Sequence, residues 1–433
     1  MDNKEFARRR KQLMRMVGQG GIAVLPAAPM KIRTRDTEHA FRQDSDFHYL
    51  SGFDEPEAVM ALVPGRDSGE YILFVRDRDA KKERWDGYRA GPEGAIEHYG
   101  ADDSFPIDDI DDILPGIMES CSRVYYTMGA YADFDSRMTD WVKALRSRGN
   151  KGVHTPQEFV ALDHLLHDMR LYKSRGELAT MRKAAKIAAE AHMRAMRTTR
   201  PGMYEYEIEA EFLHEFRKSN AVASYNPIVG GGKNSCILHY VENSEQLQDG
   251  ELLLIDAGCE YDYYASDITR TFPVNGKFSP EQLAIYEIVL EAQYAAIDKA
   301  AVGNHWDEPH DAAVKVITKG LRKLGLLKGT LRQLIKDGAY QEYFMHRTGH
   351  WLGLDVHDVG DYKVGDEWRL LEDGMVTTVE PGIYISPARG VAKRWWNIGV
   401  RIEDDVAITR KGPDVLSRDV VKEPDQIERV MSG

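Results

Sequence analysis

The fold of this chain is decided by the run Leu252-Leu-Leu-Ile-Asp256-Ala-Gly-Cys-Glu-Tyr-Asp-Tyr-Tyr-Ala-Ser-Asp267-Ile-Thr-Arg-Thr-Phe272. A two-residue loop at Tyr261 and Asp262 would make it a β-hairpin in which Asp256 and Asp267 are directly opposed, with Cβ atoms about 5 Å apart. Two carboxylates at that spacing repel each other and are costly to desolvate in so apolar a sheet. We therefore expect a positive group between them; a solvated acidic hairpin is the alternative reading.

A second pair of acids and several histidines follow. They lie in the runs Phe344-Met-His-Arg-Thr-Gly-His-Trp-Leu-Gly-Leu-Asp-Val-His-Asp358, Thr377-Thr-Val-Glu-Pro-Gly-Ile-Tyr384 and Gly399-Val-Arg-Ile-Glu-Asp-Asp-Val406. The midpoint between Glu380 and Glu403 lies near Val391 and Ala392, so these glutamates are also expected to face each other across a hairpin. Four carboxylates offset two divalent cations, and an oxygen-rich set with one imidazole suits a hard or borderline ion such as Mn²⁺. The sequence therefore predicts a dinuclear metal site.

These residues resemble the site of a known family. Five of them look like the dinuclear site of the metallopeptidases with the pita-bread fold, the group of methionine aminopeptidase, prolidase and aminopeptidase P: Asp256, Asp267, His350, Glu380 and Glu403. The stretch from His346 to Asp358 is similar to the signature of the last two. The run 41–57 resembles the leader domain of aminopeptidase P and of some prolidases. The resemblance spans nearly the whole chain and points to the Xaa-Pro aminopeptidase (aminopeptidase P) group.

The resemblance implies an α/β N-terminal domain followed by an α+β pita-bread (creatinase/aminopeptidase) catalytic domain with pseudo-twofold halves. Short apolar runs alternate with helix-compatible stretches up to about residue 155, and later the order helix, helix, strands occurs twice. Capping boxes at Ser174 and Ser279 are predicted to begin two long helices. We place an N-terminal aminopeptidase-P-type domain at 1–155, a linker at 156–173 and the catalytic domain at 174–433.

The resemblance also implies a role for each ligand. Asp267 and Glu403 are expected to bridge two metal ions, Asp256 to complete one ion, and His350 with Glu380 to complete the other. A metal-bridging hydroxide is then expected to attack the carbonyl before proline, with Glu380 as the proton shuttle. The ions are expected to be Mn²⁺, with Co²⁺ or Zn²⁺ as alternatives.

Three further histidines match site positions of the family. His239 and His357 correspond to substrate-side histidines that hydrogen-bond the scissile group, and His357 would help to stabilise the oxyanion. Without the resemblance, His239 would be interpreted as an ordinary core histidine. His346 is expected to line the pocket wall rather than transfer protons. His350 and His357 are seven residues apart, so a bend is needed to bring them together.

Arg401, Tyr225 and Trp85 complete the predicted site as substrate-binding or supporting residues. Arg401 precedes Glu403 by two positions on the same strand face and is expected to hold a ligand carboxylate. Trp85 matches a tryptophan that in relatives reaches the active site of a neighbouring subunit, which implies a homo-oligomer, a dimer or a tetramer. Packing of this indole onto its own domain is the alternative.

Composition excludes several classes of partner. The chain has 433 residues and a net charge of −13, which disfavours nucleic acid and anionic membranes. The three cysteines, Cys121, Cys236 and Cys259, offer no disulfide framework, so a reducing compartment and a cytoplasmic location are expected. The N-terminus lacks an apolar run of signal-peptide length, and no segment approaches the eighteen apolar residues of a membrane span.

We therefore expect a metal-dependent aminopeptidase that removes the N-terminal residue from peptides with proline in the second position. Prolidase, which cleaves Xaa-Pro dipeptides at the same kind of site, is the alternative. Prolidase-type relatives usually carry an insert longer than the 22 residues between Glu380 and Glu403, and methionine aminopeptidase normally lacks so long a leader domain. A non-catalytic pita-bread binding protein should have lost ligands, and none is lost.

Overall fold

The computed structural model describes residues 2–119, 121–149 and 153–433. Contacts between Cα atoms divide the chain into two compact units, Met1–Met169 and Arg170–Gly433. This division falls inside the segment 156–173 that the sequence analysis placed between two domains.

The N-terminal unit is built on a six-stranded sheet with the strand order β6-β5-β4-β1-β7-β8. Its strands are β1 (Gly21–Pro26), β2 (Ile32–Thr34), β3 (Thr37–Glu38), β4 (Val59–Leu62), β5 (Tyr71–Val75), β6 (Asp103–Pro106), β7 (Arg123–Tyr125) and β8 (Glu158–Val160). Its helices are α1 (Asn3–Val17), α2 (Ser45–Ser51), α3 (Glu83–Asp86), α4 (Gly91–Tyr99), α5 (Ile110–Met118), α6 (Ala132–Ser147) and the start of α7 (Asp163–Leu171). β1 pairs parallel with β7 and antiparallel with β4, so the predicted α/β class is confirmed.

The C-terminal unit combines paired helices with short antiparallel sheets. Its helices are α8 (Arg175–Thr198), α9 (Glu205–Lys218), α10 (Pro280–Lys299), α11 (Glu308–Lys323), α12 (Leu331–Lys336) and α13 (Pro424–Met431). Its strands are β9 (Val222–Ala223), β10 (Ile228–Gly231), β11 (Leu252–Asp256), β12 (Cys259–Tyr261), β13 (Tyr264–Ala265), β14 (Thr269–Pro273), β15 (Lys363–Val364), β16 (Glu367–Trp368), β17 (Val376–Val379), β18 (Gly382–Ile385), β19 (Ile398–Arg401), β20 (Asp404–Ala407) and β21 (Asp414–Val415). The order helix, helix, strands occurs twice, as predicted.

The two long helices begin where the capping residues predict. The Ser174 side chain accepts a hydrogen bond from the Glu177 N–H, and the Glu177 carboxylate accepts one from the Ser174 N–H. Ser279 does the same with Gln282 at the start of α10. The buried side of α8 is rich in alanine, which lets the helix lie close to β12 and β13.

The turn of the aspartate hairpin lies one residue later than predicted. Asp262 and Tyr263 are the turn residues, with φ of 50° and 69°, the left-handed pair that a two-residue hairpin loop requires. The register therefore shifts by two, and Asp256 pairs with Thr269 instead of Asp267. A register shift of two residues keeps each side chain on the same face of the sheet, so the two aspartates still converge.

The predicted pairing of the two glutamates is confirmed by the register around them. Val379 pairs with Asp404, and Gly382 pairs with Arg401 in the same register. Glu380 therefore lies opposite Glu403, between the β17–β20 and β18–β19 pairs. In the described part of the chain, no helix is both long and apolar enough to cross a membrane.

Candidate active site

The carboxylates of Asp256 and Asp267 lie on either side of one hydroxyl group. The Tyr225 hydroxyl oxygen is 2.5 Å from Asp256 Oδ1 and 2.6 Å from Asp267 Oδ1. A hydroxyl has one hydrogen, so it can donate to only one of the two carboxylates. Burial and both neighbouring acids raise the pKa of Tyr225 well above its usual value. The aspartates thus need positive charge beyond what this tyrosine offers.

His350 turns one ring nitrogen toward the acids. Its Nδ1–H donates to the Trp351 carbonyl at 2.9 Å, which leaves Nε2 3.3 Å from Asp267 Oδ2 and 3.7 Å from Glu380 Oε1. Burial lowers the pKa of His350, but Asp267 and Glu380 outweigh this effect and bring the pKa to about 9. In the neutral ring, the hydrogen bond to Trp351 keeps the proton on Nδ1 and leaves Nε2 as the ligand atom.

Glu403, which lies opposite Glu380, completes the acid cluster. Its Oε2 accepts a hydrogen bond from Thr269 Oγ1 at 2.7 Å, and ligand atoms of Asp267, His350 and Glu403 all lie within 4.8 Å of one another. Burial raises the pKa of Glu380 to about 7, and burial with the surrounding acids raises that of Glu403 well above its usual value. The protein's own cations therefore do not neutralise the cluster.

Arg401 supplies the other positive charge, and it holds Asp256. Its guanidinium donates to Asp256 Oδ2 at 2.6 Å, to Thr269 Oγ1 at 3.1 Å and to the Tyr384 hydroxyl at 3.0 Å. One guanidinium and one imidazolium face four carboxylates, and this deficit is the charge that divalent cations would supply. Oxygen donors with a single imidazole nitrogen suit hard or borderline ions. The residues therefore fit a divalent metal centre.

His346 lies beside this network with both ring nitrogens engaged. Its Nδ1–H donates to the Arg347 carbonyl at 2.7 Å, and its Nε2 accepts from the Tyr384 hydroxyl at 2.9 Å. Burial, with the nearby Arg401 charge, lowers the pKa of His346 to about 3. The ring is neutral at pH 7, which agrees with a place in the pocket wall.

The cluster forms the floor of a cavity of about 250 Å³. The cavity is lined by Leu238, His239, Asp256, Asp267, His346, Arg347, Gly349, His350, His357, Glu380, Arg401 and Glu403. His239 and His357 are exposed side chains of its wall, and the His357 ring packs edge-on against His350 with centroids 4.4 Å apart. The chain between these two residues is a loop rather than a straight strand, which is how His350 and His357 come together.

Trp85 is the one predicted site residue in the N-terminal unit. It lies on α3, and its side chain is 89% exposed. The indole therefore does not pack onto its own domain. The exposed indole is available for an intermolecular contact, and tryptophan is among the residue types enriched at protein interfaces.

Three residues of the site were not predicted. Thr269 bridges Glu403 and Arg401, and Tyr384 bridges Arg401 and His346. Asp405, fully buried, accepts the backbone N–H of Asp267 at 3.1 Å, and burial raises its pKa well above the usual value. The signal for Asp405 was present in the sequence, because three consecutive acids at 403–405 stand between apolar residues.

Comparisons with known proteins identify the family of the chain. The family model of metallopeptidase family M24 matches residues 179–410, and that of the aminopeptidase P N-terminal domain matches residues 6–125. The chain is 45% identical to the Xaa-Pro aminopeptidase of Escherichia coli K12, over 100% of this chain and 98% of the relative.

Two solved structures extend the similarity to the fold. The aminopeptidase PepP of Pseudomonas aeruginosa superposes with a TM-score of 0.99 at 60% identity, over 100% of this chain and 98% of that one. Zn-substituted E. coli aminopeptidase P in complex with product superposes with a TM-score of 0.97 at 44% identity, again over 100% and 98%. The chain therefore belongs to metallopeptidase family M24 and carries an aminopeptidase P N-terminal domain.

Proposed function

We propose that this metallopeptidase removes the N-terminal residue from peptides with proline in the second position. The observation that carries the proposal is the convergence of four carboxylates and His350 on the floor of a cavity walled by His239 and His357. The Xaa-Pro aminopeptidase of E. coli, similar over the full length of the chain, supports the same reaction and substrate class.

The proposed metal centre would hold two divalent ions, and Mn²⁺ is the expected metal. Asp267 and Glu403 would be ligands of both ions. Asp256 would be a further ligand of one ion, and His350 and Glu380 would be further ligands of the other. When bound, such ions lower the pKa of water and polarise a carbonyl oxygen. Arg401 keeps Asp256 oriented through the 2.6 Å hydrogen bond described above.

The side chains around the centre have separate roles in proton transfer and in substrate binding. Glu380, held by Thr378 Oγ1 at 3.3 Å, accepts the proton of the attacking water and delivers it to the leaving proline nitrogen. His357 donates a hydrogen bond to the scissile oxygen as negative charge develops there, and His239, also in the cavity wall, holds the substrate. The free amine of the substrate rests near the carboxylates, which is why only an N-terminal residue is removed.

Elemental analysis tests the metal centre. After reconstitution with Mn²⁺, Co²⁺ or Zn²⁺ we expect about two ions per chain, because four carboxylates and one imidazole nitrogen offer enough donor atoms for two ions. Fewer than one ion per chain, together with activity that chelators do not reduce, would exclude the dinuclear centre.

Substrate length and the second residue test the specificity. We expect Xaa-Pro-Xaa and longer peptides to be cleaved at least as well as Xaa-Pro dipeptides, since Arg401 is engaged by Asp256 and is not free to bind the carboxylate of a dipeptide. Xaa-Ala analogues should be poorer by about 1–3 kcal/mol of transition-state binding, because alanine lacks the methylene groups with which the proline ring would contact the site. In a competition assay, a strict preference for dipeptides would move the chain to the prolidases, and equal cleavage of alanine and proline substrates would show that the site does not select for the proline ring.

We also propose that the protein is a homo-oligomer in a reducing compartment. The exposed indole of Trp85 supports a homo-oligomer, a dimer or a tetramer, in which this side chain meets a neighbouring subunit. Cys121, Cys236 and Cys259 are all free, which supports a reducing compartment such as the cytoplasm.

A further inference from the structure

A buried ion cluster lies directly behind the loop that carries His357. Lys173 Nζ donates to Asp358 Oδ2 at 2.9 Å, and Arg170 Nη2 donates to Asp358 Oδ1 at 2.5 Å. The same Arg170 nitrogen also donates to Asp355 Oδ2 at 2.6 Å. The side chains of Lys173 and Asp358 are each 1% exposed, so solvent does not screen this pair.

The cluster is locked to the backbone of the loop. The Asp358 N–H donates to the Trp351 carbonyl at 2.9 Å, and the Gly353 carbonyl accepts from the Ala265 N–H at 2.8 Å. A Cβ atom on Gly353 would lie 2.1 Å from Asp358 Oδ2 and 2.9 Å from Lys173 Cε. Only glycine allows the carboxylate this close an approach. The ion pair therefore fixes the path of the loop from Gly353 to Asp358.

His357 itself has little to hold it. Its ring is exposed and has no hydrogen-bond partner within the described ranges of the chain. Its ring packs edge-on against His350, with the centroids 4.4 Å apart. The position of the ring thus depends on the backbone, and the next residue along that backbone is Asp358.

We propose that Lys173 and Asp358 are positioning residues for peptide cleavage, which hold the loop so that the His357 ring meets the scissile carbonyl. The inference rests on the role given to His357 under the proposed function. Neither residue lines the cavity, so each would act through His357. Removing Lys173 leaves Asp358 with Arg170 but without its second cationic partner, and we expect the loop to shift as the buried charges rearrange.

A double-mutant cycle with His357 tests the inference. In the metal-loaded enzyme, Lys173→Met should lower kcat by about 10- to 100-fold, the effect of misplacing a catalytic group by about 1 Å. KM and the metal content should stay near those of the parent, and Lys173→Arg should restore most of kcat. In a His357→Ala background, Lys173→Met should change kcat by less than about twofold, because the group that it positions is already gone.

The control is Arg194→Met, which breaks ion pairs with Glu211 and Glu215 in the same unit but away from the cavity. It should leave kcat unchanged in both backgrounds. Asp358→Asn, which keeps the shape of the side chain, takes the place of Lys173→Met in the cycle if that variant does not fold. If Lys173→Met lowered kcat equally in the parent and in the His357→Ala background, or left kcat of the parent unchanged, the inference would be overturned while the proposed function would stand. Parent-like activity of His357→Ala would overturn the role of His357 and the inference together.

Discussion

His357→Ala and His239→Ala are each expected to lose turnover of an Xaa-Pro-Xaa peptide by roughly two to four orders of magnitude, the range seen when acid–base or oxyanion assistance is removed. Both side chains line the cavity beside the acids, and neither belongs to the ligand set. The variants should therefore bind metal like the parent. Metal content and kcat, measured on the same preparations, check both parts of the prediction.

The matched control is His214→Ala, which removes an exposed histidine from α9. Its activity should equal that of the parent. If the cavity variants turned over peptide as fast as this control, His239 and His357 would have no part in the reaction. If they lost metal as well as activity, they would have to be assigned to the metal centre.

Asp267→Asn is expected to lower both metal occupancy and turnover, the latter by about three orders of magnitude. The amide keeps the shape of the side chain but removes the charge at the residue closest to His350 Nε2, which is 3.3 Å away. Each tenfold loss in rate corresponds to about 1.4 kcal/mol of activation free energy, so the expected loss corresponds to several kcal/mol of charge stabilisation. Elemental analysis and peptide turnover are the measurements.

Asp262→Asn is the control for that variant, because it makes the same chemical change at an exposed position in the turn of the same hairpin. Asparagine tolerates the left-handed backbone found there, so the turn should survive. Full metal occupancy and parent activity in Asp267→Asn would show that this carboxylate is not a ligand.

Local rules predicted the helices well. The capping boxes at Ser174 and Ser279 satisfy backbone groups within three residues of themselves, so the start of each helix is encoded in four consecutive residues. The spacing of Glu380 and Glu403 predicted their register for a similar reason, because a hairpin midpoint fixes every pair along it.

Other features depend on contacts that sequence spacing does not specify. The aspartate turn lies at 262–263 because the backbone there adopts two left-handed residues, and Tyr263 is a residue type that rarely does so. Thr269 and Tyr384 support the centre with hydroxyl groups that only the folded sheets bring beside Arg401. In the sequence, a threonine or a tyrosine in a strand cannot be distinguished from an ordinary core residue.

In the proposed function, the acid cluster is a metal-dependent centre that removes the residue before proline. The most direct measurement is the release of the free N-terminal amino acid from an Xaa-Pro-Xaa peptide by metal-stripped protein, before and after addition of Mn²⁺. We expect no release from the stripped protein and rapid release once Mn²⁺ is restored, with the Pro-Xaa fragment as the second product. Release at the same rate from the stripped protein, or no release from the Mn²⁺-loaded protein, would contradict the account.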